Sequence, residues 1–125
     1  MTKIADLQTI RLQHKMWMET MDGEGILGDG KWKILKAVEE EGSLTAACQK
    51  LGLTYRRTWG DLKKIEQQLG FPLLERHRGG KEGGMSELSE QGKKLAQAFD
   101  RFHREVDDTI SQAFEKFRST LLELR

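Results

Sequence analysis

Four cationic side chains close together form the part of this 125-residue sequence best suited to binding chemistry. Arg56 and Arg57 are followed seven residues later by Lys63 and Lys64, and residues seven apart lie on the same face of a helix. The planar guanidinium group of arginine donates paired hydrogen bonds to guanine edges and to phosphates, whereas the ammonium group of lysine binds phosphates as a point charge. This spacing therefore indicates recognition of a polyanion, and double-stranded DNA is the expected partner.

Catalytic and metal chemistry lacks comparable support in the sequence. The histidines His14, His77 and His103 lie far apart, and the single cysteine, Cys48, falls on the apolar side of a predicted helix. The sequence contains no CxxC, HxxxH or HExxH spacing and no glycine-rich nucleotide fingerprint. Metal ligation or nucleotide chemistry would need such a motif. We therefore expect neither an enzyme nor a bound metal or cofactor.

The distribution of charge is more informative than the net charge, which is only +1. Residues 54–81 carry seven Lys or Arg against three Asp or Glu, whereas residues 1–53 and 82–125 each carry more acids than bases. A local cationic surplus is the electrostatic footprint of nucleic-acid binding. Since no signal-peptide pattern and no apolar run near the roughly 20 residues of a membrane span occur, we expect a cytoplasmic protein without membrane contact.

The cationic residues fall in the second of two predicted helices between residues 42 and 69. Ser43 and Thr54 are good N-caps, and Gly52 ends the first helix because glycine enters the left-handed conformation without steric cost. The expected buried faces are Leu44, Ala47, Cys48 and Leu51 in the first helix, and Tyr55, Trp59, Leu62, Ile65 and Leu69 in the second. Two such helices predict a helix-turn-helix, whose second helix enters the DNA major groove.

A hairpin and a helix are predicted before this motif. Residues 10–18 alternate in polarity with a period of two, which predicts a half-buried strand. Residues 22–25 have turn chemistry, and Ile26 and Leu27 return as a second strand. Asp29 is the expected N-cap of the following helix. The predicted buried face of that helix is Ile34, Leu35 and Val38, flanked by Trp32 and Ala37.

A two-stranded wing is predicted after the motif. Pro72 prevents simple continuation of the helix, residues 73–78 suggest a strand, and Met85–Leu88 can pair back with it. The loop between them contains four glycines, at positions 79, 80, 83 and 84. Two explanations stay open for this loop. It is either a flexible tip without function, or a segment kept free of side chains so that its backbone can approach phosphate.

One long helix is predicted from its N-cap, Ser89, to the end of the sequence. Its apolar residues recur at intervals of three or four, close to a heptad repeat with one insertion. They are Leu95, Phe99, Phe102, Val106, Ile110, Phe114, Phe117, Leu121 and Leu124. The helix either lies back on its own domain or pairs with a second copy. We favour pairing, because Phe side chains in a seam are costly to leave in water. The expected domains are residues 1–88, which bind DNA, and residues 89–125, which dimerise.

Several motifs resemble those of known regulators. The order of the elements and the segment GSLTAACQKLGLT at residues 42–54 are similar to the LysR-type winged helix. Two further motifs resemble the ModE family of molybdate-responsive regulators: TYRRTW at residues 54–59 and the wing sequence ERHRGGKEGG at residues 75–84. The segment LGDGK at residues 27–31 looks like the single-domain branch of that family.

This resemblance implies a mainly α winged helix-turn-helix protein that regulates transcription as a homodimer on an inverted repeat. Full-length ModE proteins carry a C-terminal oxyanion-binding region that this sequence lacks, so a molybdate response is not carried over and no cofactor is expected. Effector sensing by a separate partner, a different ligand and no effector at all stay open. The alternative function is a winged-helix adaptor whose C-terminal helix binds another protein. Such an adaptor would not need the cationic surplus of residues 54–81.

The predicted DNA interface is the outer face of the second helix together with the wing. Arg56 and Arg57 are expected at base edges, where bidentate contact with guanine is the commonest specific pair. Tyr55 is expected either to pack beneath the helix or to donate its hydroxyl to phosphate, and Trp59 is expected in the core. Thr45 and Thr54 are expected to contact phosphate. Lys63 and Lys64 either contact the phosphate backbone or are simply solvated. The wing residues Arg76, Arg78 and Lys81 are expected on phosphate or in the minor groove.

Overall fold

Four helices and two antiparallel hairpins make up the part of the chain that the computed structural model describes, residues 1–77 and 85–125. In chain order they are β1 (Trp17–Glu19), β2 (Gly25–Gly28), α1 (Asp29–Glu41), α2 (Leu44–Leu51), α3 (Tyr55–Leu69), β3 (Leu74–His77), β4 (Met85–Leu88) and α4 (Glu90–Glu123). β1 pairs with β2, and β3 pairs with β4. The predicted mainly α winged helix-turn-helix is confirmed, with α2 and α3 as the motif and β3–β4 as the wing.

The larger of two compact units comprises residues 15–99 and contains the hydrophobic core. Leu35 of α1, Leu44 of α2, Leu62 of α3 and Leu73 before β3 are fully buried. α1 buries the predicted face of Ile34, Leu35 and Val38, together with Ala37, which was expected beside it. Each such side chain contributes about 1.5–3 kcal/mol when it leaves water. Apolar burial therefore fixes α3 on the other helices and leaves its outer face available.

The turn of the helix-turn-helix has the predicted chemistry at two of its three signal residues. Ser43 caps α2, because its side chain accepts a hydrogen bond of 3.1 Å from the backbone N–H of Ala46. Gly52 ends α2 in the left-handed conformation, with φ of 68°. Thr54 occupies the N-cap position of α3, but its side chain makes no capping hydrogen bond. The first-turn N–H groups of α3 therefore have no side-chain cap.

The N-cap prediction for Asp29 is wrong, because Gly28 occupies that position and Asp29 is the first residue of α1. Asp29 instead joins α1 to the chain before β1. Its carboxylate accepts a hydrogen bond of 3.1 Å from the N–H of Met16, and its own N–H donates to the carbonyl of Met16 at 3.0 Å. Asp29 therefore makes two long-range hydrogen bonds with Met16 in place of the expected N-cap of α1.

The strand predicted for residues 10–18 is mostly wrong, since β1 contains only Trp17–Glu19. β2 extends only over Gly25–Gly28, and its pairing with β1 runs from Trp17 opposite Gly28 to Glu19 opposite Gly25. Among the described residues, no strand lies beside the chain before position 17 to receive its backbone hydrogen bonds, and a strand needs such a partner. The return strand at Ile26 and Leu27 is confirmed.

The buried face of α3 differs from the predicted one by a rotation about the helix axis. Tyr55 and Trp59, both expected on the apolar face, are 37% and 41% exposed. Thr58 is buried instead, because its hydroxyl donates a hydrogen bond of 2.8 Å to the carbonyl of Thr54 and is thereby satisfied. Leu62 and Ile65 are buried as predicted. The prediction that Trp59 lies in the core is therefore wrong.

The segment of Pro72 and Leu73 is the junction of α3, the wing and α4. The N–H of Ser89 donates to the carbonyl of Leu73 at 2.8 Å, and the Ser89 hydroxyl donates to the carbonyl of Pro72 at 2.6 Å. The same hydroxyl accepts a 2.9 Å bond from the N–H of Gly92, which confirms Ser89 as the N-cap of α4. An ideal Cβ on Gly92 would lie 2.3 Å from the carbonyl oxygen of Leu73. Only glycine allows this approach.

The smaller unit comprises residues 1–14 together with residues 100–125 of α4 and the C-terminus. Arg118 donates to the carbonyls of Gln8 and Ile10, both at 2.9 Å, and Arg125 donates to the carbonyl of Ala5 at 2.9 Å. These arginines hold the N-terminal segment against the C-terminal part of the chain through the backbone carbonyls of residues 5, 8 and 10. The predicted long helix is confirmed, since α4 has 34 residues and a length of about 50 Å. Within the described ranges, no helix is long and apolar enough to span a membrane.

Replacing Gly92 with Ala is expected to destabilise the protein by about 1–3 kcal/mol, because the new methyl group must push α4 away from Leu73. The measurement is urea unfolding followed by circular dichroism. Gly30→Ala is the matched control, since Gly30 is exposed in α1 and a Cβ there meets nothing within 4 Å. Equal stability of the two variants would show that α4 does not depend on close contact with Leu73.

Candidate nucleic-acid interface

The first turn of α3 presents two arginines to solvent. Arg56 and Arg57 are both exposed, and neither forms an ion pair with an acidic side chain in the part of the chain that the structure describes. Because both side chains extend into solvent, they add nothing to the stability of the hydrophobic core. Their charges are therefore available to an external anion, and α3 places both at the N-terminal end that a helix-turn-helix presents to DNA.

The two lysines further along α3 are already engaged within the chain. Lys63 lies 3.1 Å from the carboxylate of Glu66 and 5.4 Å from the ring centroid of Trp59. Lys64 lies 3.6 Å from Glu24 of the N-terminal hairpin, in an exposed pair that water screens. Lys64 can therefore exchange this partner for phosphate at small cost, whereas Lys63 has more to lose. Their predicted phosphate contacts stay predictions.

The exposed Tyr55 and Trp59 flank the cationic face of α3. They are four residues apart, so their side chains lie on neighbouring turns of the same side of the helix. Both keep more than a third of their surface in water, although a core position was expected for Trp59 and was one of the two alternatives for Tyr55. Tyr55 is thus available for the second of its two predicted roles, a hydrogen bond from its hydroxyl to phosphate.

Two threonines lie at the N-termini of the motif helices. Thr45 in the first turn of α2 and Thr54 before α3 are both exposed. Backbone N–H groups at a helix N-terminus attract anions, and at α3 no side-chain cap occupies them. The local geometry is therefore compatible with the phosphate contacts predicted for both threonines.

The described part of the wing carries Arg76 on its surface. β3 and β4 pair in register from Leu74 opposite Leu88 to His77 opposite Met85, so Arg76 faces Ser86 across the hairpin. Arg76 is exposed and has no acidic partner among residues 1–77 and 85–125. Arg78, Lys81 and the four glycines of the predicted loop lie outside the described residues, and their roles stay predictions.

The Glu66 carboxylate fixes the wing to the end of α3. One of its oxygens accepts hydrogen bonds from the N–H groups of Leu73 and Leu74, at 2.8 and 2.9 Å. Burial opposes ionisation of Glu66 and is the largest single influence on its pKa. The hydrogen bonds from Leu74 and Leu73, together with Lys63, outweigh burial and hold the pKa below its ordinary value of 4.5. The carboxylate is therefore a charged anchor between the recognition helix and the wing.

This anchor is the functional residue that the sequence analysis missed. Glu66 was counted only as one of three acids in a basic stretch. The sequence offered only a weak signal: Glu66 lies in the last turn of α3, six residues before the break at Pro72. A second missed contact joins Lys31 of α1 to Asp61 of α3 at 2.9 Å. These two contacts hold the acids of α3, Glu66 and Asp61, toward the rest of the domain, so the outer side of the helix is basic.

The apolar seam predicted along α4 does not have uniform surroundings. Phe99 is buried in the larger unit with its ring centroid 5.8 Å from that of Trp32, and Leu95 packs against the same core. The half-buried members are Val106, Ile110, Phe114 and Leu121. Phe102, Phe117 and Leu124 are 51%, 58% and 79% exposed. The part of the seam that offers most surface to another chain is therefore this exposed group.

Comparisons with known proteins support both the fold and the motifs. The model of the bacterial regulatory helix-turn-helix proteins of the lysR family matches residues 30–93. The transcriptional regulator ModE of Haemophilus influenzae is 29% identical over 98 residues, which cover 78% of this chain and 35% of that protein. The molybdenum-pterin-binding protein MopB of Rhodobacter capsulatus is 31% identical over 90 residues, which cover 72% of this chain and 33% of that protein.

A solved structure supports the fold independently of the sequence motifs. The crystal structure of ArgP from Mycobacterium tuberculosis aligns with a TM-score of 0.50 and 23% identity, over 67% of this chain and 30% of that one. The resemblance to LysR-type and ModE regulators predicted from residues 42–59 and 75–84 is thus confirmed. This chain spans about a third of the length of each relative named here.

Glu66→Ala is expected to cost about 1–3 kcal/mol of stability at neutral pH, because two N–H groups lose their acceptor. The folded-state pKa of Glu66 lies below its unfolded value, so its charge stabilises the fold fully above about pH 4.5. This contribution is lost as pH falls through the folded pKa.

Glu66→Gln keeps the shape and removes the charge, so the stability difference between wild type and this variant should shrink as pH falls below about 4.5. Urea unfolding at a series of pH values measures it. Glu75→Gln, at an exposed carboxylate on β3, is the control. A difference for Glu66→Gln that does not change with pH would show that the charge of Glu66 plays no part in the anchor.

Proposed function

Because this chain belongs to the bacterial regulatory helix-turn-helix proteins of the lysR family, we propose that it is a sequence-specific, DNA-binding transcriptional regulator that acts as a homodimer. α3 enters the major groove, and the wing lies on the phosphate backbone or in the minor groove. The observation that carries the proposal is the pair of exposed arginines, Arg56 and Arg57, which have no acidic partner in the described chain.

The arrangement of charge on α3 favours reading of bases over simple attraction to phosphate. Arg56 and Arg57 extend from the first turn, the part of a recognition helix that reaches base edges. Lys64 and Lys63 lie two turns later, where an entering helix leaves the groove, so they suit backbone phosphates. The acids of α3, Asp61 and Glu66, are paired with Lys31 and with the wing junction. This side of α3 therefore combines sequence recognition with electrostatic attraction.

The wing contributes further positive charge beside α3. Arg76 is exposed on β3, and the anchor through Glu66 holds β3 at the end of α3. A wing fixed in this way contacts the same DNA duplex that α3 reads. Arg78 and Lys81 are proposed to extend this contact along the backbone, which would make it dependent on salt because each contact releases counterions.

The homodimer is proposed to form along α4. The exposed Phe102 and Phe117 lie about 60° apart around α4, since each residue advances the helix by about 100°. The exposed Leu124 follows directly after α4 ends at Glu123. Large apolar side chains grouped on one side of a helix favour burial against another helix. A second copy of α4 supplies a matching strip, and two copies of α3 would then read an inverted repeat.

The proposed function involves no cofactor for residues 1–125. All of the proposed DNA contacts are made by side chains and backbone of this chain. The relatives named above include a molybdenum-pterin-binding protein, but this chain spans about a third of that protein. We propose that DNA binding by residues 1–125 requires no cofactor, while effector sensing by a separate partner, a different ligand and no effector at all stay open.

Arg57→Ala is expected to weaken binding to the selected DNA site by about 1–3 kcal/mol, because one arginine contact with a base is lost. Thermal stability should stay nearly unchanged, since Arg57 is exposed. Fluorescence anisotropy with the selected site and with random duplex measures both affinities. Arg101→Ala, at an exposed arginine on α4, is the control for loss of one charge. Equal weakening on both DNA sequences would assign Arg57 to phosphate instead of bases.

Phe117→Ser is expected to shift the protein from dimer to monomer, because it removes the larger of the well-exposed side chains on the distal half of α4. Analytical ultracentrifugation over a range of concentrations measures the dissociation constant. Lys116→Ser changes the adjacent exposed residue and serves as the control. A wild-type protein that sediments as a monomer at all concentrations would contradict the proposed homodimer.

A further inference from the structure

No feature of residues 1–77 and 85–125 explains a glycine in the middle of the recognition helix. Gly60 is the sixth residue of the fifteen in α3. Glycine is the weakest helix former apart from proline, because it loses the most backbone freedom on folding. A sequence that needed only a stable α3 would carry alanine here. The presence of glycine therefore requires another reason.

Neither backbone conformation nor packing supplies that reason. The helix caps Gly42, Gly52 and Gly70 have positive φ, which favours glycine, but Gly60 does not. Gly92 is needed because a Cβ would strike Leu73, whereas a Cβ on Gly60 would meet nothing within 4 Å in the described chain. The space in front of Gly60 is open solvent on the outer side of α3.

The position of Gly60 connects it with the cationic residues. Arg56 and Arg57 lie four and three residues before it, and Lys63 and Lys64 lie three and four residues after it. Positions three and four apart are neighbours on a helix surface. Gly60 is therefore at the centre of the cationic face, with basic side chains on the turns at either side and bare backbone between them.

We propose that Gly60 is the point of closest approach between α3 and the base-pair edges in the major groove, and that its lack of a side chain determines how deeply the helix enters. This inference rests on the proposed function, because it takes double-stranded DNA as the partner. Glycine permits such close approach of a backbone to a ligand. Any side chain at this position would hold α3 away from the groove floor and weaken the arginine contacts on the preceding turn.

The test compares Gly60→Ala and Gly60→Leu with wild type, and with Gly30→Ala as the matched control. Both alanine variants introduce a methyl group into open space on a helix, so both should melt at or slightly above the wild-type temperature. Gly60→Ala should bind the selected site about tenfold more weakly, equivalent to the loss of one base contact. Gly60→Leu should bind more weakly still, and Gly30→Ala should bind like wild type.

Binding to random duplex separates contact with bases from contact with phosphate. A loss for Gly60→Ala on the selected site that is much smaller on random duplex supports approach to base edges. A loss of equal size on both, or wild-type affinity for the selected site, overturns the inference and leaves the proposed function standing. A lower melting temperature for Gly60→Ala also overturns it, since glycine would then serve the fold. Failure of wild type to select any sequence overturns the proposed function itself, and the inference with it.

Discussion

The carboxylate of Glu66 is the interaction on which the arrangement of the DNA-binding elements depends. It extends from α3 and accepts both N–H groups at the start of the wing, from Leu73 and Leu74. The carbonyl of Leu73 accepts the N–H of Ser89, and Gly92 packs against the same carbonyl. Recognition helix, wing and long helix therefore meet at one buried residue, Leu73. This junction holds α3 and β3 in a fixed relation while Arg56, Arg57, Lys64 and Arg76 remain exposed.

Most of the fold follows from local sequence signals, and the errors occur where distant contacts replaced them. The caps at Ser43 and Ser89 and the left-handed Gly52 were predictable because each depends on a few neighbouring residues. The role of Asp29 was not predictable, because its carboxylate accepts a hydrogen bond from the N–H of Met16 instead of capping α1. The alternating pattern of residues 10–18 also misled, since a strand forms only where a partner strand is present. Periodicity identifies potential faces, and the tertiary structure decides which of them is used.

The candidate interface was predictable in its charge but not in its shape. Helical spacing placed Arg56 and Arg57 together, and both are exposed as expected. Hydrophobicity alone assigned Trp59 to the core, but Thr58 occupies that side because its hydroxyl is satisfied by the carbonyl of Thr54. The anchoring role of Glu66 could not be derived from composition, since it depends on where the chain returns after Pro72. The significance of Gly60 emerged only once the space around it was known to be open.

Selection of duplex fragments tests most directly whether α3 reads DNA sequence through its first turn. Purified wild type and the Arg56→Ala/Arg57→Ala variant would be incubated with genomic fragments at about physiological salt, and the bound fragments sequenced. Wild type is expected to enrich an inverted repeat, and the variant, although folded, is expected not to do so. No enrichment by wild type, or the same enrichment by both proteins, would contradict this expectation.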